Sequence, residues 1–232
     1  MTLERVTFTG ADDQTPIEQM ADLSRAYPWI EWGILMPHMG GRRRFPSPDW
    51  VCRLIDHPGL NLAAHICPPW TSKFYEQDTG VVMLLKPAFQ RIQINTHGHL
   101  YSARQFAMDA MLYDAREYII QLDGLNDSIL DIAIEHGATN ITGLYDKSHG
   151  NGERPALWPP SLYPLHWIGY AGGLGPDNLD KELPRILEAA GETPVWIDME
   201  SRVRTNERFD LTKVHQCINI AEPYIVTHRR AG

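Results

Sequence analysis

The segment Tyr145-Asp146-Lys147-Ser148-His149-Gly150-Asn151-Gly152 sets an acid, an amine and an imidazole side by side in a glycine-rich stretch. Side chains of these types exchange protons with a bound molecule and hold its negative groups. The apolar run Ile141 to Leu144 comes just before, so the cluster follows a strand and Asp146 stands at its carboxyl end. Other short apolar runs are followed in the same way. Asp12 and Asp13 come after the first, and His38 and Arg42 to Arg44 after the second. His65 and Cys67 end the third; Asn95, His97 and His99 follow the fourth, and Asp123 and Asn126 the fifth. Asp198, Glu200 and Arg202 close the last. Each has a plain structural alternative: an Asp after a strand caps a helix, and His65 within an apolar run sits in a core.

Two further stretches suit anions. In Gly40-Gly41-Arg42-Arg43-Arg44-Phe45-Pro46-Ser47 a guanidinium stands before a proline-serine helix start, and guanidinium pairs bidentately with carboxylate or phosphate. In Ala171-Gly172-Gly173-Leu174-Gly175-Pro176-Asp177-Asn178 the glycines give backbone N–H groups room to approach a ligand, and Pro176 is placed for the first turn of the next helix. Helix N-termini attract anions.

The elements that must position these residues are eight candidate strands at 5–9, 31–36, 60–66, 91–95, 118–122, 140–145, 166–171 and 195–199. Between them lie stretches of helical period, clearest at Leu179, Leu183, Ile186, Leu187 and Ala190 and at Leu211, Val214, Ile218 and Ala221. Alternating strands and helices predict an α/β fold, a single (β/α)8 TIM barrel over residues 1–232, with chemistry at the carboxyl ends of the strands. The stretch 150–164, with four prolines and no helical period, predicts an irregular sixth crossover.

A chain of 232 residues, 43% hydrophobic, builds a core of its own, and a formal charge of −8 argues against nucleic acid as partner. Three scattered cysteines, no signal-like start and no apolar run of membrane-spanning length give the expectation of a soluble, cytoplasmic protein without disulfides. No cofactor is expected. The partner expected is a small phosphorylated or anionic substrate, and an oligomer is compatible with this.

In order along almost the whole chain, the residues resemble the phosphoribosylanthranilate isomerases. The likeness is carried by Trp32 to Ser47, by Ile92 to His99, by Gly143-Leu144-Tyr145-Asp146, by Ala171 to Leu179 and by Trp196 to Val203. The resemblance implies a cofactor-free conversion of an aminoaldose to an aminoketose. It implies Asp146 as general acid, Arg44 as the holder of a substrate carboxylate, and Gly172 and Gly173 as backbone phosphate contacts. Two positions depart from the family pattern. Thr9-Gly10 stands where the family has a catalytic Cys-Gly pair, which makes Asp12 or His97 the replacement base. Glu200, Ser201 and Arg202 stand where the family has small residues and a glycine at the phosphate, with Arg202 able to strengthen the site. Lys147, His149 and Asp198 complete the expected substrate contacts.

The reading is thus an isomerase-like enzyme acting by acid–base proton transfer on a phosphorylated sugar or phosphoribosyl-amine compound. Two alternatives stand beside it. One is a metal-dependent epimerase or lyase using His65, His97, Asp123 and Asp146; the other is a non-catalytic barrel that binds a phosphorylated ligand.

Overall fold

Each of the eight apolar runs forms a strand: β1 (Leu3–Thr9), β2 (Ile30–Leu35), β3 (Leu62–Ile66), β4 (Arg91–Ile94), β5 (Glu117–Leu122), β6 (Ile141–Tyr145), β7 (Ile168–Ala171) and β8 (Val195–Met199). In this computed structural model, described over residues 2–36, 44–76, 88–95, 116–124, 127–146, 152–161 and 167–225, neighbours pair in parallel all the way round. The barrel closes where β1 meets β8, with Val6 opposite Ile197 and Thr7 opposite Asp198. Helices α1 (Ile17–Ala26), α2 (Pro48–Ile55), α3 (Trp70–Tyr75), α4 (Asp127–Glu135), α5 (Leu179–Ala190) and α6 (Leu211–Ala221) follow strands β1, β2, β3, β5, β7 and β8. A short hairpin, β9 (Arg204–Thr205) and β10 (Arg208–Phe209), precedes α6.

Two cores result from the alternation of side chains along each strand. The outward set, including Val6, Phe8, Trp32, Ile34, Ile197 and Met199, packs on the buried stripes of the helices, among them Leu179, Leu183 and Ile186 of α5 and Val214, Ile218 and Ala221 of α6. The helical period seen in the sequence is this stripe. Inside the barrel a smaller apolar group, Ile119, Leu144, Ala171 and Trp196, is joined by Trp167. The described part of the sixth crossover, residues 152–161, has no helix or strand, as its prolines predict.

The amino end of the barrel is plugged by charge. Arg91 of β4 donates to Glu31 of β2 at 2.9 Å and to Glu117 of β5 at 2.7 Å, and Arg5 of β1 reaches Glu31 at 2.8 Å. Partners on such different strands meet only through the interior. The Arg91 guanidinium lies 4.5 Å from the Trp167 ring and 4.1 Å from the Trp196 ring, a cation held between two indoles. Burial alone pushes the Glu31 carboxyl up; Arg91, Arg5 and the Thr7 hydroxyl overturn this and leave it below the ordinary value.

Removing one partner of such a buried set strands the others. Arg91→Met is expected to cost about 3–5 kcal/mol in urea unfolding. The double change Arg91→Met with Glu31→Leu is expected to cost less than the single one.

Candidate functional site

At the carboxyl ends of the strands, side chains of β1, β4, β5, β6 and β8 converge. Thr9, the last residue of β1, donates its hydroxyl to Asp198 of β8 at 2.7 Å, a bond between residues that meet because the barrel closes there. Glu200, one residue beyond β8, pairs with Arg44 at 3.0 Å. Asp146 follows β6, and the Gln121 amide of β5 donates to its backbone oxygen at 3.0 Å. Gln93 of β4 lies one register step below Asn95, whose amide approaches Cys67 Sγ at 3.4 Å.

Three carboxyl groups therefore share one mouth. Burial pushes Asp198 up to about 8; the Thr9 hydroxyl opposes this, while Glu200, Asp146 and Glu31 add to it. Glu200 is also raised by burial, with Arg44 and Arg204 opposing and Asp146 adding. Asp198 is thus mostly a neutral acid at pH 7. His65, buried beside Glu31 and Arg91, is pushed down to about 4 by desolvation and is a neutral core histidine. Gly33 makes room for it: a Cβ there would lie 2.9 Å from His65 Nε2 and would run into the Thr9 hydroxyl.

The other expected residues divide. Asp12 is turned away into a buried pair with Arg204 at 3.0 Å, while its second oxygen accepts from the Gln14 N–H. Arg204 also donates to the Gly10 carbonyl at 2.6 Å, so Asp12 and Arg204 lock the end of β1 to the chain after β8. Asp13 accepts from the Ser47 N–H at 2.8 Å and so fixes the start of α2, which Ser47 caps. Arg202 leaves the mouth: its stem lies over Gly175 and its guanidinium pairs with the exposed Asp177 at 2.7 Å. Of the two β8 candidates, Glu200 faces the site. His97, Lys147 and His149 lie outside the described residues, as do His38, Arg42 and Arg43. Among the described residues no three His, Cys, Asp or Glu side chains are grouped to hold a metal ion.

Gly172 and Gly173 are required by the chain itself. A Cβ on Gly172 would stand 2.8 Å from the Glu153 carbonyl oxygen, and one on Gly173 would run into the Gly152 carbonyl oxygen. Both have positive φ, 120° and 60°. The backbone at 152–155 lies directly on the turn, and Gly152 in turn presses on Ser201 of the β8 turn. This strap is anchored to α5 through the buried Glu182, which accepts from Arg154 at 2.5 Å and from the Trp158 indole at 2.8 Å. The hydroxyls of Tyr170 and Tyr145 donate to the Pro159 and Pro160 carbonyls. Below it, Asn178 ties the glycine turn by accepting from the Gly175 N–H and donating to the Gly173 carbonyl. Pro176 therefore belongs to the turn, and α5 begins at Leu179 rather than at the proline.

The sequence named Asp198 as a substrate contact without its pairing to Thr9; Gln93 entered only as part of the resembling segment 92–99, with no role of its own, and Gln121 and Glu182 were passed over. The available signals were a Gln within each of the apolar strands Arg91–Ile94 and Glu117–Leu122, and a Glu on the buried stripe of α5.

No family model and no curated protein matches the sequence. Among solved structures the chain is similar to monomers generated from the dimeric phosphoribosylanthranilate isomerase of Thermotoga maritima, with a TM-score of 0.59 at 16% identity, over 95% of this chain and 99% of that one. The N-(5'-phosphoribosyl)anthranilate isomerase of Pyrococcus furiosus gives 0.57 at 13%, over 94% and 98%. The phosphoribosyl anthranilate isomerase of Thermococcus kodakaraensis gives 0.55 at 14%, over 99% and 100%. The barrel of those enzymes is the fold of this chain.

Asp198 carries a testable sign. Its folded carboxyl keeps its proton to about 8 against an ordinary 3.8, so the folded state holds the extra proton between those values. The stability it contributes is full below pH 3.8 and is lost as pH rises through 8. His65 acts oppositely, losing stability as pH falls from 6.5 toward 4. Urea unfolding from pH 6.5 upward avoids the change at His65: the parent is expected to weaken toward pH 8, and Asp198→Asn to weaken less over that range. Gly173→Ala is expected to lift the strap at a cost of about 1–3 kcal/mol, read as faster cleavage after Glu153 by a glutamate-specific protease.

Proposed function

We propose that the barrel mouth moves protons within a small, sugar-like carbonyl substrate, an isomerisation of the aldose–ketose type. The observation that carries this reading is Asp198, a carboxyl that keeps its proton near neutral pH, with a second carboxyl, Asp146, close enough to add to its rise. A carboxyl that holds its proton can serve as the acid, which leaves the role of base to its neighbour. Asp146 takes the hydrogen from C2 of the open-chain aldose and returns it to C1. Asp198 gives a proton to O1 and recovers one from O2, so the net change is C2–H and O2–H lost and C1–H and O1–H gained. Thr9 donates to Asp198 and stabilises its carboxylate at the moment the proton has left. Arg44 and Glu200, paired, fix the rim on either side.

This assignment departs from the roles that the family resemblance implies. There Asp146 is the acid and a cysteine at the place of Thr9 is the base; here threonine has no accessible anion, and its hydroxyl serves the carboxyl next to it. The fold shared with phosphoribosylanthranilate isomerases supports a barrel able to host this chemistry and leaves substrate and mechanism to the residues above.

The test is a panel of aldoses and amino-aldoses incubated in deuterium oxide and followed by NMR. Deuterium is expected at C1 of the ketose product, and Asp146→Asn and Asp198→Asn are expected to slow its appearance by about 10²–10⁴-fold. In the parent, kcat/KM is expected to fall above about pH 8 as Asp198 loses its proton. Full activity in Asp198→Asn, or activity that climbs through pH 8, contradicts the assignment. Ligand binding with no turnover across the panel favours a barrel that binds without chemistry.

A further inference from the structure

Asp146 stands just past the end of β6, and a side chain of the neighbouring strand holds it there. The ladder between β5 and β6 ends with Leu122 opposite Tyr145. Gln121 extends that grip by one residue: its amide donates to the Asp146 backbone oxygen at 3.0 Å and reaches the carboxylate at 3.4 Å. One side chain thus touches the main chain and the carboxyl group of the same acid. The nitrogen must be the end that lies there, because a backbone oxygen only accepts.

Alternation along β5 places this amide inside the barrel. Ile120 and Leu122 belong to the outer core, whereas Ile119 and Leu144, the register partner of Gln121, belong to the inner apolar group. Gln121 is 2% exposed in those surroundings, where an amide is tolerated only if it bonds. The residue type also suits a base. A Lys or Arg at this place would pair with the carboxylate and weaken it as a base, and a Glu would repel it. An amide directs an N–H at the acid without adding charge.

We propose that Gln121 is a positioning residue for Asp146, holding its carboxylate at the angle from which it takes the C2 hydrogen of the substrate. The inference rests on the proton-transfer reading for the part Asp146 plays. Gln121 acts through Asp146, by fixing the chain at the end of β6 and the direction of the side chain together.

The test uses the full chain with Gln121→Met, which keeps the length and removes the donor, and Gln121→Glu, which keeps the shape and turns the donor into an acceptor. Deuterium incorporation from D-ribose, D-xylose and D-glucose is measured, and rates are expressed per folded molecule from circular dichroism. In both variants kcat is expected to fall by about 10–100-fold, with KM within about twofold of the parent. The fall in activity above about pH 8, which Asp198 sets, is expected to stay in place. The parent's kcat per folded molecule in Gln121→Met, or a loss carried by KM alone, overturns the inference. A second measurement needs no substrate. The nitrogen-15 signal of the Gln121 side-chain amide, assigned by its absence in Gln121→Met, is expected to move in Asp146→Asn, and an unmoved signal overturns the inference as well. The two proposals fail separately. A signal that moves while no aldose exchanges leaves Asp146 held by Gln121 without the isomerase reading. Exchange lost in Asp146→Asn and full in Gln121→Met does the reverse.

Discussion

The clamp on Arg91 determines what the rest of the barrel can do. Its guanidinium lies between two indoles and serves two carboxylates, while Arg5 completes the charge balance with Glu31. The amino half of the interior is thereby full and electrically matched, in a place where most barrels are filled with branched aliphatic side chains. Arg91 and Arg5 are both engaged there, and neither pairs with an acid of the carboxyl half. Among the described residues Asp198 pairs with no cation, and it responds as a buried acid must, by keeping its proton.

The strap has the same logic at the level of shape. The sixth crossover has prolines where a helix would need N–H groups, so it cannot cover β6 and β7 with a helical stripe. Its apolar cover is Trp158 set edge-on against Tyr170, and its fixed point is Glu182. That arrangement brings the backbone at 152–155 down on the β7 turn, which is why the turn has no room for side chains. Asp12, Arg204 and the hairpin β9–β10 hold the opposite rim by a comparable buried pair. The mouth is framed by two local locks, with Asp146, Asp198 and Glu200 between them.

The barrel was legible in the sequence because strand and helix periods are local. Eight apolar runs and two strong helical stripes predict eight strands and their crossovers, and each strand is found within two or three residues of its expected place. The site was legible only in part. Thr9 and Asp198 stand 189 positions apart and meet through barrel closure, so no spacing in the chain announces the bond. Asp12 and Arg202 belong to types that do chemistry, yet each finds a nearer partner, in Arg204 and Asp177. The glycines of the β7 turn did announce that a close neighbour approaches. They could not say whether that neighbour was a ligand or the chain's own backbone. The charged residues Glu31, Arg91 and Glu117 within apolar strands were a signal of a polar interior that periodicity alone does not weigh.

The account stands most directly on the proton of Asp198. A carbon-13 NMR titration of the aspartate side-chain carboxyl groups, with Asp198 assigned by its absence in Asp198→Asn, reads it in the folded protein without a substrate. A midpoint near 8 is the predicted result. A midpoint near the ordinary 3.8 would mean that the mouth solvates or neutralises its acids, and the division of labour between Asp198 and Asp146 would fall with it.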